Sequence, residues 1–289
     1  MVQPSLGRRD VLRTAAISTS VSAAVLPGHA AADDQHNCTN VEDPFDGCEG
    51  PSTPSDFPYL YDSDDDGTDE QFGDWPTNPD ELVFFIHGYQ SQSTQNGVDQ
   101  GYAAKVAAEH NGYSQPFVAV CWDSDTTWSR AKSRAEDEGE RLAEFLLDYM
   151  ANNSDTTIRL LGHSLGNRVV VFCLRKLMKN DTAVDSAAAL GGAIDADSVI
   201  VEDGIDQSMF DEEIENAATQ YNNYHKTDDQ VLDLDYEAAE GEEAVGEPGA
   251  KGGTPPSNYT DRDVTNDVCN HCTYFKKNEG CVSDVVGNW

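Results

Sequence analysis

From residue 81 onward, short apolar runs alternate with longer stretches of helical period. Glu81-Leu82-Val83-Phe84-Phe85-Ile86 is a compact apolar run of the kind buried inside a parallel sheet. A helical pattern from about Asn96 to Asn111 follows, then a strand over Phe117–Trp122. The stretch Trp128–Met150 is amphipathic, with Ala131, Ala135, Leu142, Phe145 and Leu146 recurring at helical spacing between charged side chains. Thr157–Leu161 reads as a strand and Asn167 to about Met178 as a helix. Residues 186–194 and 220–225 read as further strands. Strands alternating with helices imply right-handed crossovers, hence an α/β fold with a mostly parallel central sheet and helices on both faces. This domain is expected over 81–289. Residues 31–80, rich in Asp, Pro and Gly, read as an extended acidic surface segment, and the Glu/Gly/Pro/Ala tract at 237–258 as a disordered loop.

Between the strand at 157–161 and the helix after it stands Gly162-His163-Ser164-Leu165-Gly166. A G-x-S-x-G pentapeptide in a strand–turn–helix context is a nucleophile elbow. The turn strains the serine backbone, and the flanking glycines let strand and helix close up. The Ser164 hydroxyl then stands at a helix N-terminus, where the dipole favours developing negative charge.

Charge narrows the setting. The chain carries 53 acidic and 18 basic residues among 289, a formal net charge of −35. Such a charge repels itself in a compact fold unless salt screens it, and the Debye length falls to about 3 Å at molar salt. The pattern is expected of a surface adapted to high salt, and nucleic acid and anionic membranes are unsuitable partners for it. Residues 1–30 read as an export signal: Arg8-Arg9 precedes a mild apolar stretch and then Ala30-Ala31-Ala32. That order resembles a twin-arginine signal, so the mature protein is expected outside the cell, without stable membrane insertion.

Seven cysteines fit an oxidising compartment. Cys38 and Cys48 are expected to staple the N-terminal segment, and one pair to form among Cys269, Cys272 and Cys281. Cys121 and Cys173 lie in apolar runs and read as buried thiols. A zinc site from the late cysteines and His271 lacks the usual four-ligand spacing, and a disulfide pinning the histidine loop explains the same residues. Asp62-x-Asp64-x-Asp66-Gly67 resembles the start of a calcium loop, but Gly73 stands where the twelfth-position glutamate belongs. A solvated loop is the preferred reading, with no cofactor and no catalytic metal.

Serine needs a base, and the base an orienting carboxylate. At this point the chain resembles the α/β-hydrolase superfamily, in its lipase/esterase-like branch, over roughly residues 81–275. Phe84-Phe85-Ile86-His87-Gly88-Tyr89 is similar to the strand-then-His-Gly segment that supplies half of an oxyanion hole. The resemblance implies the Tyr89 and Leu165 backbone N–H groups as oxyanion donors, with His87 a candidate for orienting substrate. The superfamily's chain order is nucleophile, acid, histidine. Asp229-Gln230-Val231-Leu232 resembles the acid-bearing segment and selects Asp229, with Asp228, Asp195 and Asp197 as alternatives. His271, the one histidine after Asp229, is the candidate base, in a His-x-x-Tyr pattern similar to the late histidine loop of related hydrolases. The implied activity is hydrolysis of carboxylic esters, small or lipid, through an acyl-enzyme on Ser164. A peptidase, a polyester depolymerase or a non-catalytic surface binding protein on the same scaffold are the alternatives.

Overall fold

The apolar runs assemble into one eight-stranded sheet. The computed structural model describes residues 48–62, 67–201 and 209–289; the export signal, Cys38, Asp64 and Asp66 lie outside them. The strands are β1 (Tyr59–Tyr61), β2 (Glu70–Phe72), β3 (Glu81–Ile86), β4 (Phe117–Val120), β5 (Thr157–His163), β6 (Val184–Leu190), β7 (Ala218–His225) and β8 (Tyr259–Asp263). Their spatial order is β2-β1-β4-β3-β5-β6-β7-β8, all parallel except β2, which runs antiparallel to β1 at the edge. The helices are α1 (Thr94–His110), α2 (Trp128–Asn152), α3 (Gly166–Met178), α4 (Asp211–Ala217), α5 (Glu237–Glu240) and α6 (Val282–Gly287).

Period-two alternation divides the core. Leu82, Phe84 and Ile86 of β3 pack on the face covered by α2, α3 and α4, while Val83 and Phe85 pack on the face covered by α1 and α6. Both faces are therefore sealed by helices, which is why β3 reads as an unbroken apolar run rather than an alternating one. Of the stripe expected on α2, Ala131, Ala135, Leu142 and Leu146 are fully inaccessible, and Phe145 is half-buried against the same core. α1 begins where Ser93 caps it, its hydroxyl accepting the Asn96 N–H at 3.3 Å.

Two expectations from composition need correction. The 31–80 segment is not wholly a surface run, because it supplies β1 and β2 and buries Phe57 and Leu60. The 237–258 tract is anchored rather than disordered. Ala244 and Val245 are fully buried, Val245 N–H donates to the Ile194 carbonyl at 2.8 Å, and Gly246 N–H donates to Gly192 at 2.9 Å. Two small apolar side chains and a backbone ladder fix a tract that has no periodicity to announce it.

The sheet reverses its winding at β3. The chain leaves β3 for β4 on one side, and from β5 onward it adds strands on the other side. Ligands of open α/β sheets bind at the carboxyl ends of the strands flanking such a reversal. Here those ends carry His87-Gly88-Tyr89 and His163-Ser164.

Away from that end, Glu138 of α2 is completely buried beside Asp69. Arg141 donates to Glu138 Oε2 through Nε at 3.1 Å, yet Glu138 Oε1 and both Asp69 oxygens have no hydrogen-bond partner among the described residues. Burial first, then the Asp69 charge, pushes the Glu138 carboxyl well above the ordinary range, against the pull of Arg141. An acid whose folded pKa is raised holds its proton better folded than unfolded. Its contribution to stability is therefore lost as pH climbs above the unfolded glutamate value of about 4.3. Glu138→Gln is expected to melt above wild type at pH 8–9, with the gap closing toward pH 5. A pH series of thermal melts checks this, and a gap that does not narrow contradicts it.

Candidate active site

Ser164 sits between β5 and α3 with φ +53°, in the left-handed region that costs a non-glycine residue. Hydrogen bonds hold it there from both sides. Its N–H donates to the Leu190 carbonyl of β6 at 3.0 Å, and its carbonyl accepts from Asn167 and Ala193 N–H groups, each at 3.0 Å. The elbow also needs room. A Cβ on Gly162 would lie 2.8 Å from the Gly166 carbonyl, and one on Gly166 would run into the Ile86 carbonyl at the end of β3. That crowding is the physical content of the G-x-S-x-G pattern.

The segment after β7 turns at Lys226–Asp229 and enters a π-helical turn, Val231–Tyr236. Asp229 caps this turn: its Oδ1 accepts the N–H groups of Val231 at 3.2 Å and Leu232 at 3.3 Å. Its other oxygen, Oδ2, accepts from His271 Nδ1 at 2.8 Å and from the Tyr274 hydroxyl at 3.2 Å. Burial, at 1% exposure, pushes this carboxyl up. The His271 imidazole and the Leu232 and Tyr274 hydrogen bonds outweigh that effect, and the pKa is held below the ordinary aspartate value. Tyr274, fully buried next to this charge, is pushed well above the usual phenol range and remains a neutral donor.

Nδ1 of His271 thus carries the proton facing Asp229. Its Nε2 is buried and has no hydrogen-bond partner among the described residues, and no hydrogen bond joins it to Ser164 Oγ. Both residues line the same cleft. The histidine loop is held from several directions. His163 Nε2 donates to the His271 carbonyl at 2.7 Å, and its ring lies 5.0 Å from that of Phe275. Burial lowers the His163 pKa to about 3, so the ring is neutral. Next to His271, Cys272 forms a disulfide with Cys48. This replaces the expected Cys38–Cys48 staple, and the pair expected among Cys269, Cys272 and Cys281 does not form, since Cys281 is a free buried thiol and Cys269 is disulfide-bonded outside that group. Cys121 and Cys173 are the buried free thiols expected.

Gly88 backs directly onto the serine, since a Cβ there would come 2.7 Å from Ser164 Cβ. The Tyr89 and Leu165 N–H groups donate to no backbone carbonyl among the described residues, and Gly88 and Tyr89 line the cleft with Ser164. His87 does not line the cleft. Its Nδ1 donates to the Gly88 carbonyl at 2.9 Å and its Nε2 accepts the Trp122 N–H at 3.1 Å. With both nitrogens engaged and burial lowering its pKa to about 4, it braces the loop rather than facing a substrate, which corrects the expected orienting role.

Of the candidate acids, the structure brings only Asp229 to His271. Asp228 is exposed and paired with Lys226, Asp195 accepts the Tyr236 hydroxyl at 2.7 Å, and Asp197 is exposed. Asp62 accepts the Gly67 N–H at 2.9 Å, and no cluster of three or more His, Cys, Asp or Glu able to hold a metal occurs among the described residues. Sequence reasoning missed the cleft itself, which holds about 910 Å³. Trp128 at the start of α2, Val231 and Leu232 of the π-helical turn, and Gln100 of α1 line it. Tyr274 was visible as the fourth residue of His-x-x-Tyr, but its bond to Asp229 was not.

Residues 117–201 match a family described as a protein of unknown function, DUF726. The transmembrane and coiled-coil domain-containing protein STS1 of Oryza sativa subsp. japonica is 28% identical over 160 residues, covering 52% of this chain and 21% of that protein. The chain therefore spans about a fifth of the length of that curated relative. No helix among the described residues is long and apolar enough to cross a membrane. Among solved structures, the chain is similar to a lipase-esterase related protein from Clostridium acetobutylicum, at 12% identity and TM-score 0.40 over 73% of this chain and 93% of that one. It is also similar to an alpha-beta serine hydrolase homologue from Coxiella burnetii, at 10% identity and TM-score 0.40 over 74% and 89%. Trichoderma reesei cutinase aligns at 15% identity and TM-score 0.31 over 40% and 52%.

The disulfide at Cys272 closes a loop of 224 residues, so its loss releases much unfolded-chain entropy. Cys272→Ser is expected to cost about 2–4 kcal/mol, roughly 5–10 °C in Tm. Thermal melting of the variant against wild type without reductant reads this, and an unchanged Tm contradicts it.

Proposed function

We propose that the protein is a serine hydrolase of carboxylic esters, with Ser164 as nucleophile, His271 as base and Asp229 as the orienting carboxylate. One observation carries this reading. A buried, multiply hydrogen-bonded aspartate holds the Nδ1 proton of a histidine whose Nε2 is uncommitted, in a cleft shared with a serine in left-handed backbone conformation. Hydrogen bonds among catalytic groups are often incomplete without substrate, so the unmade Ser164–His271 bond fits the reading.

Ser164 Oγ attacks the ester carbonyl carbon as its proton passes to His271 Nε2. Asp229, kept ionised, stabilises the imidazolium without taking the proton. The tetrahedral oxyanion lies toward the Tyr89 and Leu165 N–H groups, the second at the N-terminus of α3. Collapse breaks the C–O bond to the alcohol, which leaves with the proton held on His271. Water, deprotonated by His271, then attacks the acyl-enzyme carbonyl and frees the acid and Ser164. An extracellular, high-salt setting belongs to the same reading and rests on the −35 charge and the Arg8-Arg9 segment.

Ser164→Ala is expected to lower kcat/KM for short-chain esters by about 10⁵-fold or more, and Asp229→Asn by about 10³–10⁴-fold, both folding as wild type in molar salt. Ester turnover assays with circular dichroism check this. Full activity in Asp229→Asn together with its loss in Asp195→Asn would return the acid role to Asp195.

A further inference from the structure

The cleft beside Ser164 has two chemically different kinds of lining. One comes from the β3–α1 connection and the first turns of α1, and places Gln90, Gln92, Asn96 and Gln100 on the cavity. Asn96 and Gln100 are four residues apart on α1 and share a face. Gln100 is only 6% exposed, and its Oε1 has no hydrogen-bond partner among the described residues. A buried amide oxygen without a donor bears an uncompensated desolvation cost.

Aromatic rings line the cleft as well, and their polar atoms are already engaged. The Tyr89 hydroxyl donates to the Thr126 carbonyl at 2.8 Å, Trp128 Nε1 donates to Glu240, and the Tyr236 hydroxyl donates to Asp195. Trp128 stands edge-on between the two tyrosines, with ring centroids 5.2 and 5.7 Å away. What this ridge offers a ligand is ring carbon, held rigidly. Asn96 Oδ1 accepts the Ser93 hydroxyl at 3.4 Å, and primary amides sharing one cleft with fixed aromatic rings suit a molecule with hydroxyls around a carbon framework. A long hydrocarbon chain would cover these amides and return no hydrogen bond.

We propose, on the strength of the serine-hydrolase reading above, that the alcohol part of the ester is a carbohydrate. Sugar hydroxyls bond the Gln92, Asn96 and Gln100 amides while C–H surface of the ring packs on the Tyr89–Trp128–Tyr236 ridge. The acyl group is short and rests against Ala193, Val231 and Leu232. In the reaction the bond between the acyl carbon and the sugar oxygen breaks. That oxygen takes the proton from His271, and water releases the acyl group as a carboxylic acid. Gln100 is then a specificity-determining residue.

The test compares kcat/KM for 6-O-acetylglucose, ethyl acetate and tributyrin in molar salt, using wild type, Gln100→Leu and Gln92→Ala. Gln92 is exposed, so its variant remains informative if Gln100→Leu fails to fold. Wild type is expected to favour 6-O-acetylglucose over ethyl acetate at least tenfold, and each variant to lower that ratio by about tenfold, the loss of one hydrogen bond to a substrate hydroxyl. A wild-type ratio near one, a ratio unmoved by either variant, or a preference for tributyrin overturns the carbohydrate assignment. Ser164-dependent turnover without sugar preference overturns this inference alone. A folded wild type that turns over none of the three esters overturns the serine-hydrolase reading, and this inference with it.

Discussion

A buried carboxylate organises this site. Asp229 is sealed from solvent and ionised, and a lone charge there would be very costly without partners. Its partners come from two separate parts of the chain. Val231 and Leu232 supply backbone N–H groups from the π-helical turn, while His271 and Tyr274 supply side-chain donors from the loop after β8. Satisfying one charge therefore fixes the histidine tautomer, seats the turn that walls the cleft, and locks the two segments together. Tyr274 lies between this charge and the Gly246 carbonyl, 3.5 Å away, so the anchored 237–258 tract meets the same centre.

The rest of the geometry follows from where the sheet reverses. β3 and β5 are neighbours, and their carboxyl ends place Gly88 against Ser164 closely enough that no side chain fits between. The left-handed Ser164 backbone is paid for by its hydrogen bonds to Leu190, Asn167 and Ala193. His87 and His163, both buried and neutral, hold the two loops from below through the carbonyls of Gly88 and His271. The Cys48–Cys272 bridge fixes the residue next to the candidate base to the beginning of the described chain.

Sequence pattern revealed the central strands, α1 to α3 and the elbow, because these rest on local periodicity and on glycines that only one geometry requires. It did not reveal β1 and β2, each three residues long and too short to alternate recognisably. β8 was hidden as well, since Tyr259-Thr260-Asp261-Arg262-Asp263 is polar on an edge with little to bury. Asp229 and His271 were legible through chain order and a resemblance, but their mutual hydrogen bond joins residues 42 apart. The same limit applies to the disulfide, whose pairing depends on the fold, and to Gln100, whose unsatisfied oxygen exists only once α1 faces the cleft. His87 looked like a substrate contact from its place after β3, yet its ring turns inward to Trp122.

The most direct measurement is reaction of the folded protein with a fluorophosphonate in molar salt, followed by intact mass and peptide mapping. Such a reagent phosphonylates a hydroxyl only when a base activates it beside oxyanion donors. One adduct per chain is expected, on Ser164, formed at least a hundredfold more slowly in His271→Ala. No adduct in a folded protein, or an adduct on another residue, would contradict it.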